Sequence, residues 1–338
     1  MSQKPPPVAK CGHVVCSVRA AGVNPVDAKF VIGDKLPESW MGWCARRVSG
    51  RCVGFDFSGV VVSAPDGCGF APGDEVYGFA AAGSFAETVS APLDQIAKKT
   101  STLTFLEAAA LPLVGVTAAQ AFEQHGLASG QRLLVIGASG GVGHVAVQVA
   151  HMLGARVVGI CSGLNADFVL QCGAEAVIDY SDGDVFEKIA LECAAHGAYD
   201  MVLDCVSSAS SVDEKASYRA RIEAMNRRSP SPIVKAGGGA DGHNYVVLGG
   251  RTSQWLTAGV KRSTGLNLFP AGFELFWIQI PGAARTLATL TAMVEKQGLR
   301  PKIDRALPFT EAGIRESFDS LLSRRTAGKI VLDLSEPA

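Results

Sequence analysis

The residues best suited to chemistry in this 338-residue chain are glycines: Gly140, Gly141 and Gly143, in the string GASGGVG. Their spacing suits a tight turn, a close backbone approach to a pyrophosphate, and close packing of a helix on a strand. The string lies between the apolar run RLLVIG and the helical pattern GHVAVQVAHML, and ARVVGIC follows as a second apolar run. That order, over residues 132 to 163, spells one βαβ dinucleotide-binding unit. Ala138, Ser139, Gly140, Gly141, Val142 and Gly143 are read as the cradle of a diphosphate. Free N–H groups and the positive end of the helix dipole, from about Val142 onward, would hold the anion without a lysine.

About twenty residues beyond the glycines, dinucleotide folds place an acid on the ribose 2′-hydroxyl. This chain has Cys161-Ser162-Gly163 there. Without an acid to repel it, a 2′-phosphate is favoured, with Ser162 and Asn165 offering hydrogen bonds, so the expected cofactor is NADPH. No cation follows at once, since Leu164 comes next.

The elements that must position these residues follow from the hydropathy pattern. Residues 1 to about 107 hold short alternating runs such as HVVCSVRA and GVVVSA between turn signals PDG and PGD, the pattern of a small twisted β-barrel. From about Leu111 strands alternate with helices: RLLVIG, ARVVGIC, AEAVIDY, YDMVLDC, NYVVLGG and a short LNLF, the signature of a parallel doubly wound sheet. Pro281 to Gln297 and Ile314 to Leu322 read as further helices, and GKIVLDL as a final strand. The expected domains are 1–110 with 299–338, and 111–298, with a substrate cleft between them at the carboxyl ends of the parallel strands. Residues 207–244 read as an insertion whose Lys215, Arg219, Arg221, Arg227, Arg228 and Lys235 are interleaved with Asp213, Glu214 and Glu223, a solvated helix and loop.

Composition excludes several classes. A chain 48% hydrophobic and 19% charged, with net charge −1, offers no global footprint for nucleic acid or an anionic membrane. Nine cysteines without a C-x-x-C pair point to reduced thiols and a reducing compartment. No apolar run reaches membrane-spanning length and MSQKPPPVAK has no leader pattern, so a cytoplasmic protein is expected, or an organellar one if the start is truncated.

Seven strings in order, AAGVNPVDAK, GFDFSGVV, GDEVYGF, LPLVGVTAAQAF, GASGGVG, YDMVLDCV and RTAGKIVLDL, resemble the zinc-independent quinone oxidoreductase and enoyl reductase branch of the medium-chain dehydrogenase/reductase superfamily. The likeness is nearest to the chloroplast-envelope quinone oxidoreductase homologues and the reticulon-interacting mitochondrial reductases. It implies an α/β fold, a GroES-like β-barrel catalytic domain plus a Rossmann doubly wound parallel-sheet domain, with the last strand returning to the first domain. It also implies cofactor contacts at Thr117, Tyr180, Cys205, Val206, Gly249, Gly250 and Lys329. Each has a plainer alternative: a helix-start cap for Thr117, an edge aromatic for Tyr180, a small buried hydrophobe for Cys205, a strand-end turn for the glycine pair, a surface lysine for Lys329. Arg324 and Arg325 are weaker candidates for a cation on the 2′-phosphate.

At the reaction centre the resemblance implies Asn24, whose amide could donate to an enolate oxygen, and Lys29 as added positive charge. Asn24 could instead be an Asn-Pro turn former, and Lys29 a solvated side chain. No tyrosine follows in AKFVIGD, so protonation falls to water, a ribose hydroxyl or Lys29. Metal ligands are not expected: Phe55 and Asp56 stand where zinc-dependent relatives carry His-Glu, the 24 to 29 stretch has no cysteine, and Cys44, Cys52 and Cys68 are irregularly spaced. The implied activity is hydride transfer from NADPH to an enone, enal or quinone, with an NADPH-binding scaffold as the rival. Oligomeric state stays open, a homodimer included.

Overall fold

The structure is a computed structural model and describes residues 7–8, 10–32, 52–207, 218–228, 232–235, 244–249, 252–266, 268–269 and 272–335, with the backbone alone for 29–32, 228, 252 and 253. Contacts divide the chain into two units, Met1–Val116 with Gln279–Ala338, and Thr117–Ile278.

The first unit is built on a seven-stranded sheet. Its strands are β1 (His13–Val23), β2 (Asp56–Ser63), β3 (Glu75–Phe79), β4 (Thr88–Pro92), β5 (Ile96–Lys98), β12 (Ile303–Pro308) and β13 (Lys329–Asp333). The order is β12-β13-β1-β2-β3-β5, with β4 also paired to β1. Alternation puts Val14, Cys16 and Val18 of β1 into one core with Phe57, Val61, Val76, Val89 and Ile96. The expected return of the last strand is explicit: Ala20 to Val23 pair antiparallel with Asp333 to Ile330.

Four helices of this unit lie among the described residues. α1 (Pro25–Ile32) follows β1 directly, and proline suits its first turn because that N–H has no intrahelical acceptor. α2 (Phe105–Ala110) starts with a reciprocal capping box between Thr104 and Glu107. α9 (Ala284–Gln297) and α10 (Glu311–Leu322) complete the set, the latter capped by Thr310, which accepts from Gly313 N at 3.1 Å. The sequence pattern placed α9 in the cofactor domain, whereas its contacts group it here. The fully buried Tyr77 of β3 is the reason, since its hydroxyl donates to Leu287 O at 2.9 Å and meets Thr291 Oγ1 at 2.9 Å.

The second unit holds six parallel strands: β6 (Arg132–Ile136), β7 (Arg156–Cys161), β8 (Ala176–Asp179), β9 (Met201–Asp204), β10 (Tyr245–Val247) and β11 (Phe273–Leu275), in the order β11-β10-β9-β6-β7-β8. Its helices are α3 (Pro112–His125), which begins in the first unit, α4 (Gly141–Met152), α5 (Ala166–Gln171), α6 (Val185–His196), α7 (Tyr218–Arg228) and α8 (Thr252–Thr264). The sixth strand is Phe273–Leu275 rather than the expected LNLF at 266–269, whose Leu266 and Leu268 are exposed. Burial decides this. Glu274 of β11 is 3% exposed and accepts from Gln124 Nε2 at 2.9 Å and Lys261 Nζ at 2.7 Å, with His125 Nε2 at 3.2 Å. Burial opposes the charge, yet the bonds from His125 and Lys261 outweigh it and hold the carboxyl down at about 2.

Of the insertion, α7 is described: Arg219 pairs with Glu223 and stacks on Phe273, Arg221 pairs with Asp184 over Phe186, Lys235 pairs with Asp200, and Arg227 is exposed. Lys215 lies outside the described residues, as does the Arg228 side chain. Among the described residues no helix is long and apolar enough to cross a membrane. Tyr77→Phe is expected to lower stability by about 1 kcal/mol, one hydrogen bond's worth, and to loosen α9 first, which urea unfolding with amide exchange would read.

Candidate functional site

The glycine turn joins β6 to α4. Gly140 occupies the residue before the helix, so no capping side chain from that position takes up the first-turn N–H groups of α4. Residues 139 to 142 are half-buried, while Gly143 and Ala138 are buried beneath them. A Cβ on Gly143 would lie 2.1 Å from Gly137 O, so helix and turn could not close around any other residue. Gly137, at φ +79°, in turn lies under Val206, whose Cγ2 is 2.6 Å from where its Cβ would be. Turn, helix start and the Cys205-Val206 segment are thereby brought together. A helix N-terminus behind a glycine cradle fits a diphosphate.

Cys205 and Val206 are held by an acid that the sequence reading did not single out. Asp204, fully buried at the end of β9, accepts from Val206 N at 3.0 Å, Ser207 N at 2.9 Å, Ser207 Oγ at 2.6 Å and Tyr245 Oη at 2.9 Å. Its signal was a lone acid closing an apolar strand. Gly249 is half-buried beyond β10, and Gly250 lies outside the described residues. Thr117 is 8% exposed and sits well inside α3, so the helix-start cap alternative fails. Ser162 and Asn165 engage one another, Asn165 Nδ2 donating to Ser162 Oγ at 3.1 Å, and Tyr180 is half exposed.

An acid does stand at that turn, contrary to the reading of Cys161-Ser162-Gly163 alone. Asp179 of β8 is the register partner of Cys161, and its carboxylate accepts a hydrogen bond from the Gly163 backbone.

The first unit carries the second group of candidates. Lys329 is 3% exposed, so the surface-lysine alternative fails: its Nζ donates to Asn24 Oδ1 at 2.6 Å, Val23 O at 3.1 Å and Asp56 Oδ2 at 3.3 Å. Asn24 is 1% exposed and gives Nδ2 to Asp56 Oδ2 at 2.9 Å, while its backbone N donates to Asp27 Oδ2 at 2.8 Å. Its amide thus bridges a buried lysine and a buried carboxylate, an arrangement closer to the turn-forming alternative than to an open oxyanion donor. Lys29 lies in α1, and its side chain is outside the described residues.

Asp56 and Asp27 were missed as members of this cluster, although an acid between two phenylalanines in GFDF was a visible signal. Asp56 Oδ1 accepts from Leu113 N at 2.9 Å. Burial raises the pKa of both acids, against the pull of Lys329, and Asp27 reaches about 8. Asp27 Oδ1 is buried and has no hydrogen-bond partner among the described residues. Lys329 is the cation that faces both acids and pulls their pKa values down against burial.

The sign of the pH effect follows. Between the ordinary 3.8 and about 8, folded Asp27 keeps a proton that the unfolded chain releases, so its contribution to stability declines as pH rises through that window. Melting temperature is expected to fall from pH 5 to pH 9 more steeply in the wild type than in Asp27→Asn. Lys329→Met should cost about 3–5 kcal/mol, because it leaves Asp56 buried and unpaired.

The Alcohol dehydrogenase GroES-like domain model matches residues 10–101, and the Zinc-binding dehydrogenase model matches residues 141–221. The chain is 30% identical over 339 residues to 2-methylene-furan-3-one reductase of Solanum lycopersicum, covering 96% of this chain and 73% of that one. It is 29% identical over 345 residues to NAD(P)H oxidoreductase RTN4IP1, mitochondrial, of Mus musculus, covering 95% and 82%. The solved quinone oxidoreductase from Coxiella burnetii superposes with a TM-score of 0.70 at 27% identity, over 98% of this chain and 93% of that one. With the barrel-type sheet, the doubly wound sheet and the glycine turn all in place, the chain belongs to the medium-chain dehydrogenase/reductase superfamily, in its quinone oxidoreductase and enoyl reductase branch.

Proposed function

We propose that this NAD(P)H-dependent oxidoreductase passes hydride to the β-carbon of an α,β-unsaturated carbonyl or to a quinone, without a zinc ion. The observation that carries the reading is the uncapped start of α4 behind Gly140, closed beneath by Gly137 and Gly143. When bound there, a reduced nicotinamide supplies the hydride. The N–H groups of Gly141, Val142 and Gly143 would hold the diphosphate, and Asp204 fixes the Cys205-Val206 segment beside the turn. The named activities of the tomato reductase and the quinone oxidoreductase support this acceptor class.

Zinc independence is supported by the donor set. Asp56, at the position where zinc-dependent relatives carry a ligating pair, is committed to Asn24, Lys329 and Leu113, and Phe55 beside it offers no ligand. Without a Lewis acid the substrate's own conjugation must spread the developing charge, which selects enones and quinones over simple ketones.

We assign Asn24 the role of positioning Lys329 and Asp56. Asn24→Ala should then lose stability together with turnover, whereas a direct oxyanion donor would lose ~10²-fold in turnover with melting unchanged. An assay of cofactor oxidation over enals, enones and quinones tests the main reading. Turnover that survives chelation is expected, and stoichiometric binding without turnover would replace the enzyme with a scaffold. Gly143→Val should abolish nucleotide binding, and wild-type affinity in that variant would sink the assignment of the turn.

A further inference from the structure

The stretch of α4 from Gly143 to Ala150 is buried, and His144 and Gln148 are its polar side chains. His144 is 0% exposed, and its ring lies beside Phe168 of α5, the centroids 5.8 Å apart. An imidazole removed from water costs stability unless its nitrogens find partners. Gln148 Nε2 donates to His144 O at 3.1 Å, so its bond stays within the helix. The His144 ring instead turns back to the residue that closes the glycine turn.

His144 Nδ1 lies 2.8 Å from Gly140 O. A carbonyl oxygen can only accept, so Nδ1 carries a proton and donates. The same oxygen accepts from His144 N at 3.1 Å, an ordinary bond of the first helical turn. One residue therefore holds one carbonyl twice, through the backbone and through the ring. On the upstream side, Gly140 N donates to Gly137 O at 3.0 Å.

The consequence falls on the other end of the same peptide. In a trans peptide the Gly140 C=O and the Gly141 N–H share a plane and point in opposite directions. Glycines flank that peptide on both sides, so no Cβ restrains its rotation. With the carbonyl anchored toward the body of α4, the Gly141 N–H is directed away from it, the side from which an anion meets a helix start. We propose that His144 is a positioning residue of the diphosphate cradle: without touching the cofactor, its Nδ1–H locks the Gly140–Gly141 peptide so that the Gly141 N–H is aimed before the diphosphate arrives. This rests on reading the glycine turn as the dinucleotide site. An apolar side chain would fill the same space, but the peptide would then have to be ordered at the moment of binding, which weakens affinity.

Calorimetric titration of the purified full chain with NADPH, and with ADP-ribose as a probe that keeps the diphosphate and lacks the nicotinamide, tests it. His144→Asn keeps a donor near the place of Nδ1, His144→Gln moves the donor to that of Nε2, and His144→Leu keeps bulk without a donor. The Leu and Gln variants are expected to bind both probes about tenfold more weakly than the wild type, the scale of one hydrogen bond, with the Asn variant within about threefold of it. A merely structural imidazole would lower the melting temperature of the Leu variant and leave the affinity of the folded variants unchanged, and that result overturns the proposal. So does an Asn variant that binds as weakly as the Leu variant. Nitrogen NMR shifts of His144 in the wild type decide even if the variants fail to fold: Nδ1 is expected to carry a proton, and a bare Nδ1 refutes the lock. A wild-type chain that binds neither probe brings down the dinucleotide-site reading along with the proposal, whereas equal binding by wild type and Leu variant removes His144 alone.

Discussion

One buried cation sets the terms for the first unit. Lys329 enters the sheet at the start of the last strand and meets Val23, Asn24 and Asp56, residues some three hundred positions earlier. A buried charge is tolerable only when paired and hydrogen-bonded, and every recorded donor contact of this ammonium ends on oxygen. The dependence runs both ways, since Asp56 without Lys329 would be a buried carboxyl group without its cation. The Ile330 to Asp333 pairing with β1 and the charge cluster therefore stand or fall together. Asp27 ties α1 to the end of β1 through the Asn24 backbone.

The second unit uses the same rule with a different outcome. Its buried acids, Asp204 and Glu274, are saturated with donors and hold loops and helices against strand ends. Asp204 does this directly beside the glycine turn, so the segment expected to line a cofactor is fixed before any ligand arrives. Preorganisation of that kind removes part of the ordering cost of binding. No capping side chain comes from Gly140, which leaves the first-turn N–H groups of α4 where a diphosphate can use them.

Much of this was legible in the chain. The alternation in HVVCSVRA, the six apolar runs after Leu111 and the spacing of Gly140 and Gly143 are local patterns, and local patterns survive without knowledge of neighbours. Two readings moved because their evidence was not local. LNLF and FEL are comparably apolar, and only the bonds of Glu274 to Gln124, His125 and Lys261 choose the second as the strand. The helix after Pro281 follows Tyr77, whose hydroxyl finds Leu287 across more than two hundred residues.

The same division runs through the candidate site. Periodicity and glycine spacing determined the βαβ unit, because it depends on residues within one turn or one strand of each other, and the resemblance carried by seven strings pointed to the superfamily. Which acids face which groups was decided by tertiary structure alone. Asp179 stands sixteen positions beyond Gly163 in sequence yet against it in space, since parallel strands lay their carboxyl ends side by side. Asn24 and Lys329, marked by resemblance as residues near the reaction, meet in one buried hydrogen-bond cluster around the Lys329–Asp56 ion pair because antiparallel pairing of the first and last strands sets them side by side. Charge acts through distance in space, and chain spacing alone does not give that distance.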